Sequence, residues 1–313
     1  MKPNRIAIID LGTNTFNLLI TEVAEDGKYN ILMESKIPAK LGEGGIHESK
    51  ITPEAIERGL EALRNHLITV SEYQVESIFC FATSAIRNAE NRDQFLTRVR
   101  SELGLSIRII HGDEEAQTIF DGIRQVFPID EQYILIVDIG GGSVEFIISN
   151  SNGVAWKQSF ETGVARLLEI FNPSDPIQEH EMKAIQKHLR KELDPLFHAI
   201  KEYPVQKMVG SSGSFDTLAA LLAHQYYPLL DTSKLTSLRL EKKRLAKVHH
   251  ELMASSADQR RVMPGMVSYR VESIIPASII VQFLVEELKI GEVWQCSFAL
   301  KEGAVFQIIS GQL

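Results

Sequence analysis

Asp10-Leu11-Gly12-Thr13-Asn14-Thr15-Phe16-Asn17-Leu18-Leu19-Ile20 and Asp138-Ile139-Gly140-Gly141-Gly142-Ser143-Val144-Glu145-Phe146-Ile147-Ile148 align without a gap. Each copy follows an apolar run, at residues 6–9 and 134–137, and leads into another. The pattern reads as strand, glycine- and hydroxyl-rich turn, strand. Backbone amides in such a turn can wrap a phosphate. Two copies in one chain predict two related lobes gripping a phosphate chain between them. The copies differ at one telling place: Asn17 in the first is Glu145 in the second. This predicts binding on one side and chemistry on the other.

Working outward, strands alternate with helices. A threonine N-cap and a proline start a helix over 52–70, a strand follows over 77–82, and a helix from Asn91 is closed by Gly104. A strand over 106–110 leads into a helix capped by Asp113 and running to about Val126. The second half predicts a hairpin over 133–156, one long amphipathic helix over 175–203, a strand over 206–209 and a helix over 215–224. Further helices over 240–255 and 276–288, a strand over 293–296 and a short terminal helix complete it. The alternation indicates an α/β architecture, and 313 residues predict two domains. The repeat places the boundary near residues 123–130.

Bulk properties narrow the classes. Hydrophobic content of 44% and charged content of 24% are those of an ordinary globular enzyme. Asp10 interrupts the N-terminus before a signal-peptide core can form, and no apolar run is long enough to span a membrane. A net charge of −8 argues against a nucleic-acid-binding surface, while leaving room for a local phosphate groove and a bound cation. Cys80 and Cys296 lie in apolar surroundings and read as buried thiols of a cytoplasmic protein.

Several segments carry candidate chemistry. Gly12, Thr13, Asn14 and Thr15 fit either a tight turn or a phosphate cradle. Gly140, Gly141, Gly142 and Ser143 exceed what a hairpin turn needs, which points to phosphate contact. Asp10 and Asp138 end apolar strands, where aspartate is disfavoured; each fits turn bonding or Mg²⁺ ligation. Glu145 can face Asp138 across the hairpin, which favours a metal- or water-orienting site over an exposed strand face. Glu114 and Glu115 suit a helix N-terminus electrostatically, so their local pattern alone does not single out catalysis. Thr83, Ser84 and Arg87 fit a phosphate fork or a helix cap. Gly210-Ser211-Ser212-Gly213-Ser214 joins a strand to a helix and offers amides to a phosphate or nucleotide, or simply packs, and it lacks the lysine of a P-loop. The basic run over 241–250 reads as a solvated helix face or a guide for a distal phosphate chain.

Asp10–Thr15, residues 83–87, Gly112-Asp113-Glu114-Glu115-Ala116 and residues 138–145, together with Gly163, Arg166, Ser212-Gly213 and residues 300–303, resemble the exopolyphosphatase/guanosine-pentaphosphate phosphohydrolase (Ppx/GppA) family. The resemblance covers essentially the whole chain. It implies an actin-like, sugar-kinase-like ATPase fold of the ribonuclease H-like class, with two lobes and an interlobe cleft. It also implies an N-terminal lobe over 1–124, rejoined by a terminal helix over 299–313, and a C-terminal lobe over 125–298. Glu115 is implied to activate the attacking water, and Asp138 and Glu145 to serve Mg²⁺ and that water; Asp10 stays a candidate Mg²⁺ ligand by its strand-end position, and Arg166 a candidate phosphate contact. The implied reaction releases terminal orthophosphate from polyphosphate or from guanosine pentaphosphate. A homodimer that lengthens the substrate groove is implied in the same way. Val144 stands where the family has threonine, and Glu272 where it has aspartate. Longer members carry a further helical domain, so this form is expected to prefer shorter chains or pentaphosphate. The competing readings are a sensor that binds guanosine tetra- or pentaphosphate without hydrolysis, and a sugar kinase of the same fold.

Overall fold

The computed structural model describes residues 4–313. The chain forms two compact units: the described residues through Gly122 with Leu300–Leu313, and Ile123–Ala299. In the first unit the chain runs β1 (Asn4–Leu11), β2 (Thr15–Val23), β3 (Tyr29–Pro38), α1 (Pro53–Glu72), β4 (Ser77–Ala82), α2 (Ser84–Asn88), α3 (Arg92–Leu103), β5 (Ile107–Ile109) and α4 (Gly112–Ile123). The sheet order is β3-β2-β1-β4-β5. β1, β2 and β3 form an antiparallel meander, while β4 and β5 add in parallel. Alternation decides the faces: Ala7, Ile9 and Leu11 of β1 and Phe16, Leu18 and Ile20 of β2 enter one core with Leu60 and Leu63 of α1 and Phe95 and Val99 of α3. Thr52 caps α1 by accepting from the Ala55 amide at 3.2 Å. Gly104 closes α3 in the left-handed conformation, with φ of 69°.

The second unit repeats the plan. Its elements are β6 (Ile134–Ile139), β7 (Val144–Asn150), β8 (Gly153–Phe160), α5 (Val164–Phe171), α6 (Glu179–Glu192), α7 (Asp194–Glu202), β9 (Lys207–Ser211), α8 (Ser212–Tyr226), β10 (Ser237–Leu240), α9 (Lys242–Ala254), α10 (Ala257–Arg261), α11 (Ile274–Glu287) and β11 (Glu292–Cys296). α12 (Leu300–Ile309) then returns to the first unit. The sheet order is β10-β11-β9-β6-β7-β8. Taking β6, β7, β8, β9 and β11 for β1, β2, β3, β4 and β5 reproduces the first sheet in order and direction, with β10 as an antiparallel addition.

Two local expectations are corrected. The helix expected over 175–203 is two helices, because Pro195 cannot donate into a continuous helix and instead opens α7 in its first turn. Its start also moves. Asp175 precedes a cis proline, and Gln178 with Glu181 forms the capping box that begins α6. The helix expected from Leu240 begins instead at Lys242, because residues 237–240 pair with β11. Cys80 and Cys296 are both buried and form no disulfide among the described residues, and burial pushes the Cys80 thiol up to about 12. Among the described residues no helix is long and apolar enough to cross a membrane.

Candidate active site

The register of the sheets explains the repeat. Asp10 pairs with Asn17 across β1 and β2, and Asp138 pairs with Glu145 across β6 and β7. Both turns close with the same bond: the Gly12 amide donates to the Thr15 carbonyl at 3.2 Å, and the Gly140 amide to the Ser143 carbonyl at 3.0 Å. Extending the second rung outward, Asp138 also pairs with Ser211 on β9, and Glu145 with Ser159 on β8. Four polar residues thus line one rung across four strands. The corresponding rung of the first unit reads Phe81, Asp10, Asn17, Lys36.

In the second unit Asp138 and Glu145 are both buried, so the exposed-face reading of Glu145 fails. Ser143 and Ser159 both donate to Glu145 Oε1, at 2.6 and 2.7 Å. Ser211 donates to Asp138 Oδ2 at 3.1 Å. Burial pushes the Asp138 carboxyl up; hydroxyls of Ser212 and Ser211 and the charge of Arg270 oppose this, while Asp216 reinforces it. Ser212 supplies its hydroxyl from a left-handed backbone, φ 68°, at the start of α8. Such strain in a non-glycine residue is concentrated at functional sites.

The glycine loop itself is clamped from behind. The N-terminal amides of α5 point at its carbonyls: Gly163 donates to Gly142 at 3.2 Å, Val164 to Gly140 at 3.0 Å and Ala165 to Gly141 at 2.8 Å. Arg166 reinforces this through Nε to the Gly142 carbonyl at 3.3 Å, and its other arm reaches Glu161 at 2.8 Å. With its carbonyls engaged, the loop retains the amides of Gly141, Gly142 and Ser143, which have no backbone acceptor among the described residues. The first unit uses the same device. Carbonyls of Thr13 and Asn14 accept from the amides of Ala39, Lys40 and Gly42, and the Thr13 and Asn14 amides have no backbone acceptor among the described residues. Such a row of amides suits an anion.

Glu115 lies on α4 in the first unit. Its Oε2 accepts from Arg87 Nη1 at 2.6 Å, and both side chains are largely buried. The same Nη1 also donates to the Ile110 carbonyl at 3.2 Å. The structure therefore brings together two residues that the sequence offered for separate tasks. Thr83 and Ser84 are buried at the β4–α2 junction, where the Thr83 carbonyl accepts the Arg87 amide at 2.8 Å. Thr15 Oγ1 reaches Asn17 Oδ1 at 3.5 Å, while Asn17 donates to Asp10 Oδ2 at 2.8 Å. Ser214 spends its hydroxyl on the Ile139 carbonyl at 3.1 Å, which ties α8 to the β6 end.

Sequence reasoning missed Asp216 and Ser159, and it offered Ser211 and Arg270 only as members of the 210–214 loop and the 270–272 pattern, without their place beside Asp138 and Gly213. Arg270 lies over Gly213, where an added Cβ would stand 1.9 Å from its Nη2. Asp216 accepts from Gln295 at 3.0 Å. Only β pairing or helix packing reveals where these four lie. Ser212 and Ser214 flag the neighbourhood without locating them.

Among the described residues no three His, Cys, Asp or Glu side chains form a ready-made metal cage. Mg²⁺ does not require one, since it keeps several waters and commonly uses one or two carboxylates with substrate phosphates. Asp138 and Glu145, paired on one rung with a buried carboxyl pushed toward its neutral form, fit that donor set. Val144 belongs to the apolar cluster on the other face of β7, packed with Phe146 and Phe160, so its methyls stand away from the carboxylate rung.

The model of the Ppx/GppA phosphatase family matches residues 19–311. A crystal structure of an exopolyphosphatase from Cytophaga hutchinsonii superposes with a TM-score of 0.95 at 33% identity, covering 98% of each chain. Exopolyphosphatase 2 of Mycobacterium tuberculosis is 30% identical over 298 residues, 92% of each chain. A bifunctional 3-dehydroquinate synthase/phosphatase of Fusobacterium nucleatum is 40% identical over 173 residues, which is 53% of this chain but 26% of that protein.

Proposed function

The chain belongs to the Ppx/GppA phosphatase family with its actin-like ATPase fold, and from there we propose that it is a Mg²⁺-assisted hydrolase releasing terminal orthophosphate from linear polyphosphate. The observation that carries this reading is the rung of the second unit, where Asp138 and Glu145 face one another beside a glycine loop with unclaimed amides. Likeness over nearly the whole chain to the exopolyphosphatases of C. hutchinsonii and M. tuberculosis supports polyphosphate as the substrate class.

Phosphoryl transfer to water needs the phosphoryl group positioned, its charge offset and a water held in line. The amides at 13–14 and 141–143 bind phosphate oxygens. Arg87 adds a charged donor, and Arg166 holds the second loop in place. Glu115 accepts a hydrogen bond from the attacking water and takes its proton as attack proceeds. Asp138 and Glu145 would hold Mg²⁺, which when bound offsets phosphate charge. The terminal phosphoanhydride is the feature these groups address, and guanosine pentaphosphate carries the same group, so it belongs in the test as a second substrate.

The test measures orthophosphate release from polyphosphate and from guanosine pentaphosphate with Mg²⁺, for the wild type and Glu115→Gln. Release from polyphosphate should fall by about 10²–10⁴-fold in the variant, the usual worth of a general base. A wild type that binds guanosine pentaphosphate and releases no orthophosphate from either compound would replace this reading with a sensor.

A further inference from the structure

The C-terminal helix makes contacts that play no part in the chemistry proposed so far. α12 packs on β1 and β2, the hairpin that holds the 12–15 loop. It also meets α4, which carries Glu115. At that crossing Gly303 lies so close that a Cβ would stand 1.7 Å from the Thr118 carbonyl oxygen and 3.0 Å from the Gly122 amide nitrogen. Only glycine permits this approach of two backbones. One turn later the Gln307 amide is gripped at both ends. Its Nε2 donates to Asp121 Oδ2 at 2.9 Å, and its Oε1 accepts from Thr118 Oγ1 at 3.3 Å. Thr118, Asp121 and Gln307 are all buried. The Thr118 hydroxyl also lies 2.9 Å from the Glu114 carbonyl, so one proton is shared between the start of α4 and Gln307.

The near end of α12 is fastened to the sheet. Lys301 Nζ stands 3.3 Å from Glu34 on β3 and 3.3 Å from Glu302. Burial opposes its charge, yet the two carboxylates prevail and hold the ammonium above the ordinary lysine range. α12 therefore grips the sheet at one end and α4 along its length.

The geometry points to α12 as the element that sets the position of Glu115 relative to the 12–15 loop, with Gly303 and Gln307 as positioning residues. This rests on Glu115 being the group that activates water. Thr118 lies one helical turn from Glu115 on the same helix, so a shift at Thr118 carries Glu115 with it. The buried Gln307 amide selects one register, because a slide of α12 along α4 would leave a buried donor or acceptor unpaired. A misplacement of about 1 Å from a distant substitution can lower a rate by about 10²-fold.

The test uses Gln307→Glu, Asp121→Asn and the double variant. Gln307→Glu alone sets two carboxylates against each other, and the double variant restores the donor–acceptor pair with its direction reversed. Two readouts are followed: orthophosphate release from polyphosphate, split into kcat and KM, and amide hydrogen exchange over residues 112–118. In Gln307→Glu, kcat should fall about 10–100-fold with KM within about twofold, and exchange over 112–118 should accelerate. Both should recover in the double variant. Gln307→Met, of the same length without the amide, takes the place of Gln307→Glu if the latter does not fold. Unchanged exchange over 112–118, or a kcat loss that the double variant does not recover, overturns the positioning role. A wild type inert toward polyphosphate, with exchange that responds and recovers as described, sinks the hydrolase reading while leaving the positioning of Glu115 intact.

Discussion

Replacing Gly163 with alanine should damage the second glycine loop from behind. A methyl group at Gly163 would stand 2.3 Å from the Gly141 carbonyl oxygen and 2.4 Å from the carbonyl carbons of Gly141 and Gly142. Ordinary contact starts near 3.4 Å, so the loop must retreat by about 1 Å. That retreat strains the three bonds from Gly163, Val164 and Ala165 that hold the loop to α5. Losing one or two of them costs about 1 kcal/mol each, and overpacking adds about 1–3 kcal/mol. The resulting destabilisation is about 3 kcal/mol, equivalent to about 6–12 °C in the midpoint for a unit of this size. Both tryptophans, Trp156 and Trp294, lie in the second unit, so intrinsic fluorescence during urea or thermal unfolding reports on that unit. The amides at 141–143 move with their carbonyls, so polyphosphate affinity measured by calorimetry should fall as well. A Gly163→Ala protein with wild-type midpoint and wild-type affinity would refute the claim that α5 clamps the loop.

Four further outcomes are expected. Glu145→Gln should keep the fold, since an amide oxygen can still accept from Ser143 and Ser159, while orthophosphate release drops by at least about 10²-fold; equal rates would remove Glu145 from the chemistry. His66 donates Nε2–H to the Phe16 carbonyl at 3.0 Å and leaves a buried Nδ1 without a partner among the described residues. Burial lowers its pKa below 6.5, outweighing the Phe16 bond, so stability is full above pH 6.5 and is lost as pH falls through the folded value; pH-dependent unfolding of wild type and His66→Gln checks whether that acid-side loss belongs to His66. Val144→Thr would put a hydroxyl into the apolar cluster of the second unit, costing about 1–3 kcal/mol in urea denaturation without changing the Mg²⁺ dependence. Chelation by EDTA should abolish orthophosphate release, and added Mg²⁺ should restore it; full activity in EDTA would exclude the metal role.

Much of this was legible because the informative signals were local. The paired hairpins, the Thr52 cap and the Gly104 terminator are each written within a few adjacent residues, and each lies where the sequence put it. The break at Pro195 was equally local, yet the amphipathic period continues across it and masked the change of helix. α11 is buried nearly all round, so it carries little period and gives no sign of which neighbours it meets. The partners of the site were the least legible. Ser159 reaches Glu145 through the pairing of β7 with β8, and Arg270 reaches Gly213 from a separate segment. Neither relation has a spacing in the sequence. Glu115 illustrates the opposite limit, because its helix-start pattern is that of many inert residues. Only the family resemblance raised it, and its buried pairing with Arg87 now gives it a physical context.

The duplicated frame also suggests why chemistry should lie on one side. Both units offer a turn whose amides have no backbone acceptor among the described residues, a row that suits an anion. The rungs beside the two turns differ in charge. At the first rung Asp10 is met by the neutral amide of Asn17, with Lys36 beyond, an arrangement that tolerates a phosphate nearby without further help. At the second rung Asp138 meets another carboxylate, flanked by serines that donate to the two carboxylates, and burial makes the full negative charge costly. A phosphate beside that rung is unfavourable unless a cation joins it. Under the proposed function, the Asn17-to-Glu145 difference would turn one of two similar turns into a place where anion and cation bind together. That joint binding is what a metal-assisted phosphoryl transfer needs and what simple binding does not.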